Sequence, residues 1–255
     1  MGDRLWERVA GAAAAAGELV LPSRCAACHR PGPPLCRACT ATLRTASQGW
    51  PALVTLDPSP LGMPACWAAA PFDGPLRLAV TAYKDEERRD LRPALGQLLA
   101  SALTTAFAAD PTLRRHVARD GPVLLVPLPT ARSARRRRGD DPVGDLARAG
   151  ARGGPPGIHL APALRHTRRV ADQSRLDRSA RAANLAGAIE VSRRWREVVR
   201  GATCLLVDDV VTTGATMAEA ARALRTVGAE HVVAAAVAAT PRRVTPALVA
   251  RRAAD

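Results

Sequence analysis

Lysine is almost missing from this 255-residue chain: Lys84 stands alone among 37 Lys+Arg, against 23 Asp+Glu. Arginine supplies the remaining cations, and with the abundant alanine this reads as a compositional bias rather than selection for a partner. The formal charge of +14 still attracts polyanions such as phosphates and nucleic acids. Aromatic residues are scarce, at 4 Trp, 2 Phe and 1 Tyr, and nowhere clustered, which argues against a platform for stacking single-stranded bases. Long apolar runs are missing too. The most apolar stretch near the start, Gly11 to Leu21, is mostly alanine and is broken by Glu18, so a polytopic membrane protein is excluded. Asp3 and Glu7 offset Arg4 and Arg8 where a secretory signal needs a positive segment, so neither a signal peptide nor a spanning helix is expected, and a cytoplasmic location is. What the chain does have is 47% hydrophobic residues, too many for a disordered polymer. Its length fits a small module followed by a domain of about 200 residues able to bury its own core.

The cysteines are unevenly placed. Cys25, Cys28, Cys36 and Cys39 read C-x-x-C, seven residues, C-x-x-C. Two such knuckles can bring four thiolates into a tetrahedron around a structural Zn²⁺ that has no open position for catalysis. Pro31, Gly32, Pro33 and Pro34 between them form a turn-rich loop that lets the chain double back. Disulfide pairing is the competing reading and is disfavoured in a reducing compartment. A redox C-x-x-C centre would use one motif beside a βαβ unit, not two in tandem. His29 lies within the cluster and is expected to be a solvated loop residue. Cys66 and Cys204 stand alone, and the apolar run around Cys204 marks it as a buried thiol.

The rest of the chain divides accordingly. Residues 1–20 read as a short helix carrying Leu5, Trp6 and Val9, and residues 1–50 as this helix plus a zinc-ribbon-like module. Residues 40–65, rich in Pro, Gly, Ser and Thr, read as a connector. From there residues 51–255 alternate apolar strand-like runs with helical stretches, the pattern of an α/β domain with a largely parallel sheet flanked by helices. The expected strands are Val123–Val126, Cys204–Val207 and Val232–Val237. The expected helices are Leu91–Ala109 and Ala215–Val227.

The second sharp motif is Cys204 to Thr216, C-L-L-V-D-D-V-V-T-T-G-A-T. An apolar strand runs into two carboxylates, then a loop of hydroxyl residues and glycine, then a helix from about Ala215. Asp208 and Asp209 can accept hydrogen bonds from vicinal ribose hydroxyls. Gly214 lets backbone approach a phosphate. The helix-start N–H groups, with the hydroxyls of Thr212, Thr213 and Thr216, supply donors for a dianion. Such a loop falls where open α/β sheets bind ligands, beyond the carboxyl ends of their strands. It lacks the lysine and the glycine spacing of a P-loop.

This loop resembles the phosphoribosyl-pyrophosphate (PRPP) loop of type I phosphoribosyltransferases. With the four-cysteine module ahead of it, the chain resembles the ComF family, phosphoribosyltransferase-like proteins associated with DNA uptake in competent bacteria. Phe72-Asp73-Gly74 with Arg77, then Tyr83-Lys84, are similar to that family's aromatic-x-Gly…Lys segment. Val126-Pro127-Leu128-Pro129, followed by Arg132 and Arg135 to Arg138, resemble its V-P-x-P loop and arginine-rich turn. Arg165, Thr167 and Gln173, then Leu176, Arg181, Asn184 and Leu185, resemble its R-x-T…Q…R…N-L segment. The chain departs from the family after Arg138-Gly139. Phe, Asn and Gln are usual there, and Asp140, Asp141 and Pro142 stand in their place, two carboxylates beside the expected pyrophosphate site.

The resemblance implies PRPP, or another ribose 5-phosphate, at Asp208, Asp209, Thr212, Thr213, Gly214, Ala215 and Thr216, with Mg²⁺ held mainly by ligand oxygens and waters. Pyrophosphate would be held by Pro129, Thr130, Ala131 and Arg132, with Lys84 and Arg165 as secondary candidates. Arg135 to Arg138 read either as a solvated basic loop or as one that orders over a polyanion, where guanidinium groups grip phosphate bidentately. No general base is evident. Oxopurine enzymes carry an acid within the PRPP loop where this chain has Thr212, whose hydroxyl does not ionise at neutral pH. Two classes of function follow: a Mg²⁺-dependent glycosyltransferase acting on a nitrogen nucleophile, or a non-catalytic accessory of DNA uptake. The accessory would bind single-stranded DNA or partner proteins and use PRPP as a regulatory ligand.

Overall fold

The computed structural model describes residues 24–119, 121–130, 141–167, 187–240 and 244–246. Nine strands run in chain order as β1 (Ala52–Val54), β2 (Cys66–Pro71), β3 (Val123–Pro127), β4 (Ile158–Leu160), β5 (Leu164–His166), β6 (Ile189–Val191), β7 (Thr203–Val211), β8 (His231–Ala239) and β9 (Val244–Pro246). Seven of them form one sheet in the order β4-β3-β7-β8-β2-β1-β9, while β5 and β6 form a separate antiparallel pair. The five from β4 to β2 are mutually parallel, and β1 and β9 extend the edge antiparallel. This is the α/β architecture expected, with the two central strands longer than the sequence suggests. β7 keeps pairing with β8 as far as Val211↔Ala239, so Asp208 and Asp209 lie within the strand and not past its end.

The helices are α1 (Arg37–Ala46), α2 (Gly74–Asp85), α3 (Arg92–Ala109), α4 (Pro111–Val117), α5 (Pro142–Gly153), α6 (Arg196–Val199) and α7 (Ala215–Thr226). Side chains alternate across a strand, and β7 follows the rule. Leu205 and Val207 enter one buried cluster with Leu76, Leu95, Leu103 and Leu146 of α2, α3 and α5. Cys204 and Leu206 enter another with Met217, Ala221 and Leu224 of α7 and Ile189 of β6. Small residues set the spacing: a Cβ on Gly96 of α3 would lie 2.6 Å from the Ala149 Cβ of α5. Those two helices therefore cross at close range.

The segment expected to connect the two parts contains the end of one helix and a short strand. α1 starts at Arg37, inside the second knuckle, and buries Cys39 and Leu43 four residues apart on one helical face. Leu43 and Ala26 join the same cluster as α2 and α3, and the Arg88 Nη2 donates to the Arg24 carbonyl at 2.8 Å. The cysteine module is thus seated on the main sheet domain, and β1 joins the sheet between β2 and β9. The expected N-terminal helix with Leu5, Trp6 and Val9 lies outside the described residues. Among the described residues no helix is long and apolar enough to cross a membrane.

Candidate functional site

The four cysteines converge. The Sγ atoms of Cys25, Cys28, Cys36 and Cys39 all lie within 4.8 Å of one another, with Cys28 and Cys36 at 3.6 Å. Tetrahedral Zn–S bonds of about 2.3 Å place sulfurs about 3.8 Å apart, so the set fits a zinc ion. The Cys36 amide points at the Cys25 sulfur at 3.4 Å. Burial alone would raise the Cys25 thiol, but N–H groups of Cys36, Cys28 and Ala27 outweigh it and pull the group down to about 6. Those amides favour a thiolate at Cys25, whereas burial and the neighbouring thiols push Cys39 up to about 12. His29 is exposed and outside the thiol set. Cys66 and Cys204 are buried in the sheet core, and burial pushes Cys204 up to about 12.

At the carboxyl end of β7 the two aspartates differ. Asp209 is only 1% exposed. Its Oδ1 accepts from the Val210 amide at 2.6 Å and from Lys84 Nζ at 2.8 Å. Its Oδ2 is buried with no hydrogen-bond partner among the described residues, an acceptor held in reserve at the strand end. Asp208 is partly buried, and its Oδ1 accepts from the Asp209 amide at 2.8 Å. Burial, then the neighbouring Asp209 carboxylate, hold Asp208 well above the usual carboxylate range. Burial disfavours the Lys84 ammonium, but the two carboxylates more than compensate and its pKa is raised. The chain's only lysine therefore pairs with Asp209 while its side chain stays 40% exposed.

The turn that follows is open on its hydroxyl side. Thr212 is exposed and Thr213 and Thr216 are partly so, while Ala215 begins α7. The Thr213 hydroxyl oxygen faces the Ala215 amide at 3.5 Å. Gly214 is buried, with φ +72, and a Cβ there would sit 2.4 Å from the Met63 Sδ and 2.7 Å from a Leu56 methyl. Its missing side chain thus serves a left-handed turn and a close contact with Leu56 and Met63, both within the expected connector.

The loop after β3 is described as far as Thr130. Its hydroxyl donates to Asp141 Oδ1 at 2.9 Å, which also accepts the Gly144 amide at 3.2 Å and so caps α5. Asp141, one of the two carboxylates at the family departure, is thus occupied as a helix cap. The Pro129 carbonyl accepts from His166 Nε2 at 3.0 Å. Arg165 pairs with Glu190 across the β5–β6 hairpin. Pro129, Thr130, Asp141, Arg148, Arg165 and His166 help wall a cavity of about 400 Å³. Ala131, Arg132, Arg135 to Arg138 and Asp140 lie outside the described residues, as do Gln173, Leu176, Arg181, Asn184 and Leu185. One element joins the two loops: the buried Tyr83 hydroxyl donates to the Pro142 carbonyl at 3.1 Å, and the next residue, Lys84, holds Asp209. Only the unusual Tyr-Lys at the end of α2 hinted at this in the sequence.

Residues 161–248 match the phosphoribosyl transferase domain. The match begins just before β5, includes both aspartates and the hydroxyl-rich turn, and ends just beyond β9. The chain thus carries an α/β domain of the phosphoribosyltransferase type. A solved structure titled as the allosteric regulatory enzyme of purine biosynthesis aligns at 20% identity and a TM-score of 0.35, over 57% of this chain and 25% of that one. This chain therefore spans about a quarter of that structure. No curated protein matches.

Proposed function

We propose that this protein binds PRPP and is a ComF-type phosphoribosyltransferase that transfers the ribose 5-phosphate to a nitrogen nucleophile. The observation that carries the reading is the β7–α7 junction. A buried acceptor on Asp209 and a partly buried Asp208 lie near the carboxyl end of β7, and after Val210 and Val211 come the exposed Thr212 and the partly exposed Thr213 and Thr216 at the start of α7. The carboxyl pair suits ribose hydroxyls, and the Thr212 to Thr216 turn suits the 5-phosphate. The pyrophosphate falls to the loop at Pro129 and Thr130, with Ala131 and Arg132 continuing it.

In the reaction a bond forms between the acceptor nitrogen and the anomeric carbon as the bond from that carbon to the pyrophosphate oxygen breaks. The leaving group departs with the electron pair, and the acceptor's proton passes to solvent. The chain's own residues bind and orient: Asp208 and Asp209 fix the ribose, Lys84 holds the Asp209 carboxylate in place, and Tyr83 ties the α5 start to the same helix. Mg²⁺, when carried in with PRPP, would neutralise the pyrophosphate, and the partly buried Asp208 beside the unpartnered Asp209 Oδ2 is a donor set suited to it. Zinc at the four thiols is structural. The zinc thiols and the two buried free thiols suit the reducing cytoplasm.

Calorimetric titration with PRPP and Mg²⁺ tests binding, with saturable uptake expected in the wild type and about 100-fold weaker uptake in Asp209→Asn, the effect of losing a charge-assisted acceptor. Release of pyrophosphate with a panel of nitrogen bases tests turnover, and none above the Asp209→Asn background would leave a binding protein only. The +14 charge favours a second reading, an accessory of DNA uptake that binds single-stranded DNA. Affinity for single-stranded DNA that falls steeply with salt supports it; no affinity at low salt removes it.

A further inference from the structure

The buried Glu219 on α7 and Arg222 one turn later are not used by the proposed chemistry, and no motif flagged them. Their partner is the backbone of one residue. Glu219 Oε1 accepts the Ile189 amide at 3.2 Å, and Arg222 Nη2 donates to the Ile189 carbonyl at 3.1 Å. The two side chains also pair bidentately, Nε to Oε2 at 2.7 Å and Nη2 to Oε1 at 2.8 Å. Ile189 sits opposite His166 in the β5–β6 pair. In an antiparallel pair alternate residues turn their N–H and C=O outward. Ile189 is such a residue, because the neighbouring Thr167 amide bonds to Ala188. The outward edge of β6 is thus closed by an ion pair instead of another strand.

A continuous chain of contacts results. It starts at the hydroxyl-rich turn that opens α7, and the Glu219–Arg222 clamp then grips the β6 backbone. From there it crosses the hairpin to His166 and ends in the hydrogen bond to the Pro129 carbonyl. Its two ends are the two loops that face the two anionic ends of the proposed ligand. We propose that Glu219, Arg222 and His166 are positioning residues that lock the loop after β7 and the loop after β3 into one register, so that filling one anion subsite tightens the other. This rests on the reading that those loops hold the 5-phosphate and the pyrophosphate.

The test uses the full chain and two fragments of the ligand, ribose 5-phosphate and inorganic pyrophosphate, titrated by calorimetry at fixed Mg²⁺. In the wild type, saturating ribose 5-phosphate is expected to tighten pyrophosphate about 5-fold or more, with the reciprocal effect equal by linkage. Glu219→Gln is expected to bring that factor close to one while ribose 5-phosphate alone binds within about threefold of wild type, since the amide keeps the packing but loosens the clamp. Arg222→Lys, which keeps the charge but not the fork, falls between. His166→Phe breaks the far end of the chain without touching α7 and must also lower the coupling, which keeps the test valid should Glu219→Gln fold poorly. Faster amide exchange at Ile189 in Glu219→Gln is the structural readout. A coupling factor unchanged in both Glu219→Gln and His166→Phe overturns the relay, as does a wild type that binds both fragments independently. If neither fragment binds the wild type, the ligand reading itself falls and the relay falls with it.

Discussion

The cysteine knuckle and the ligand end of the sheet are both clusters of side chains that hold charge, yet they are assembled in opposite ways. The four thiols lie within a fifteen-residue span, closed by a proline-glycine turn and the first turns of α1. The ligand end shows one contiguous loop, Asp208 to Thr216, but what holds that loop comes from far along the chain. Lys84 neutralises Asp209, Leu56 and Met63 fill the space beside Gly214, and Glu219 ties the following helix to a separate hairpin. A local site should break by losing its own ligands. A composite one should break from a distance.

The largest effect is expected at the knuckle. A structural zinc contributes its binding free energy to folding, so elemental analysis should find about one zinc per chain in the wild type and none in Cys39→Ser. It should lower Tm by about 6–12 °C, the equivalent of about 3 kcal/mol for a chain of this size. Affinity of the remaining folded protein for PRPP should stay within about threefold. A parallel collapse of PRPP affinity would show that the two regions are one unit, and would break the comparison.

Next comes Lys84→Met, a change distant in sequence from the loop it damages. Removing one partner of a buried pair leaves the other charge uncompensated, at about 3–5 kcal/mol. Asp209 is 1% exposed, but the Lys84 side chain is 40% exposed, so solvent screens the pair and about 2–3 kcal/mol is expected. Chemical denaturation of Lys84→Met, Asp209→Asn and the double variant gives the coupling directly. The double variant should be more stable than Lys84→Met. Additive losses would mean that the lysine does not support the carboxylate.

These differences in assembly explain what could be read from the sequence. C-x-x-C spacing and the D-D-V-V-T-T-G-A-T run are short-range patterns, so the thiol set and the loop were legible, as was the strand and helix alternation around them. The carboxylates were expected past the strand end because the hydrophobic run stops at Val207, while main-chain pairing with β8 continues to Val211. α1 was hidden by its small polar residues, since only Cys39 and Leu43 mark its buried face. Asp141 drew attention as an unexpected charge, and its cap of α5 depends on where Thr130 and Gly144 arrive in space. Glu219 and Arg222 read as an ordinary pair on a helix, because the backbone they hold is thirty or more residues away.

Gly214→Ala sharpens the comparison at a smaller scale. A left-handed φ costs an alanine about 1–2 kcal/mol, and the new Cβ would also meet Met63 and Leu56. Tm should fall by about 4–8 °C, as expected for about 2 kcal/mol. Adding Met63→Ala should return the steric part but not the backbone part, so the double variant should melt above the single Gly214→Ala. If Met63→Ala gives nothing back, residues 56–63 do not support the turn.

Acid distinguishes the two regions by sign, with the smallest effect. Asp208 has a folded pKa above its ordinary value, because burial and the Asp209 carboxylate oppose its ionisation. Such a group takes up a proton on folding. It favours the folded state fully below the ordinary carboxylate value of about 4, and loses that contribution as pH rises through the raised value. Asn cannot ionise, so Asp208→Asn should melt about 2–4 °C above wild type at pH 8, for about 1 kcal/mol. The gap should close as the pH is lowered towards 4. The knuckle responds the other way: protons compete with metal for its thiolates, so zinc retention should decline as the pH falls. Followed over one pH series, the melting gap between Asp208→Asn and wild type and the zinc content should therefore both fall on acidification, the first as Asp208 takes up its proton and the second as the thiolates do. An Asp208→Asn advantage that grows on acidification would show that the carboxyl is ionised and supported in the folded protein, and would reverse the sign of the shift at Asp208.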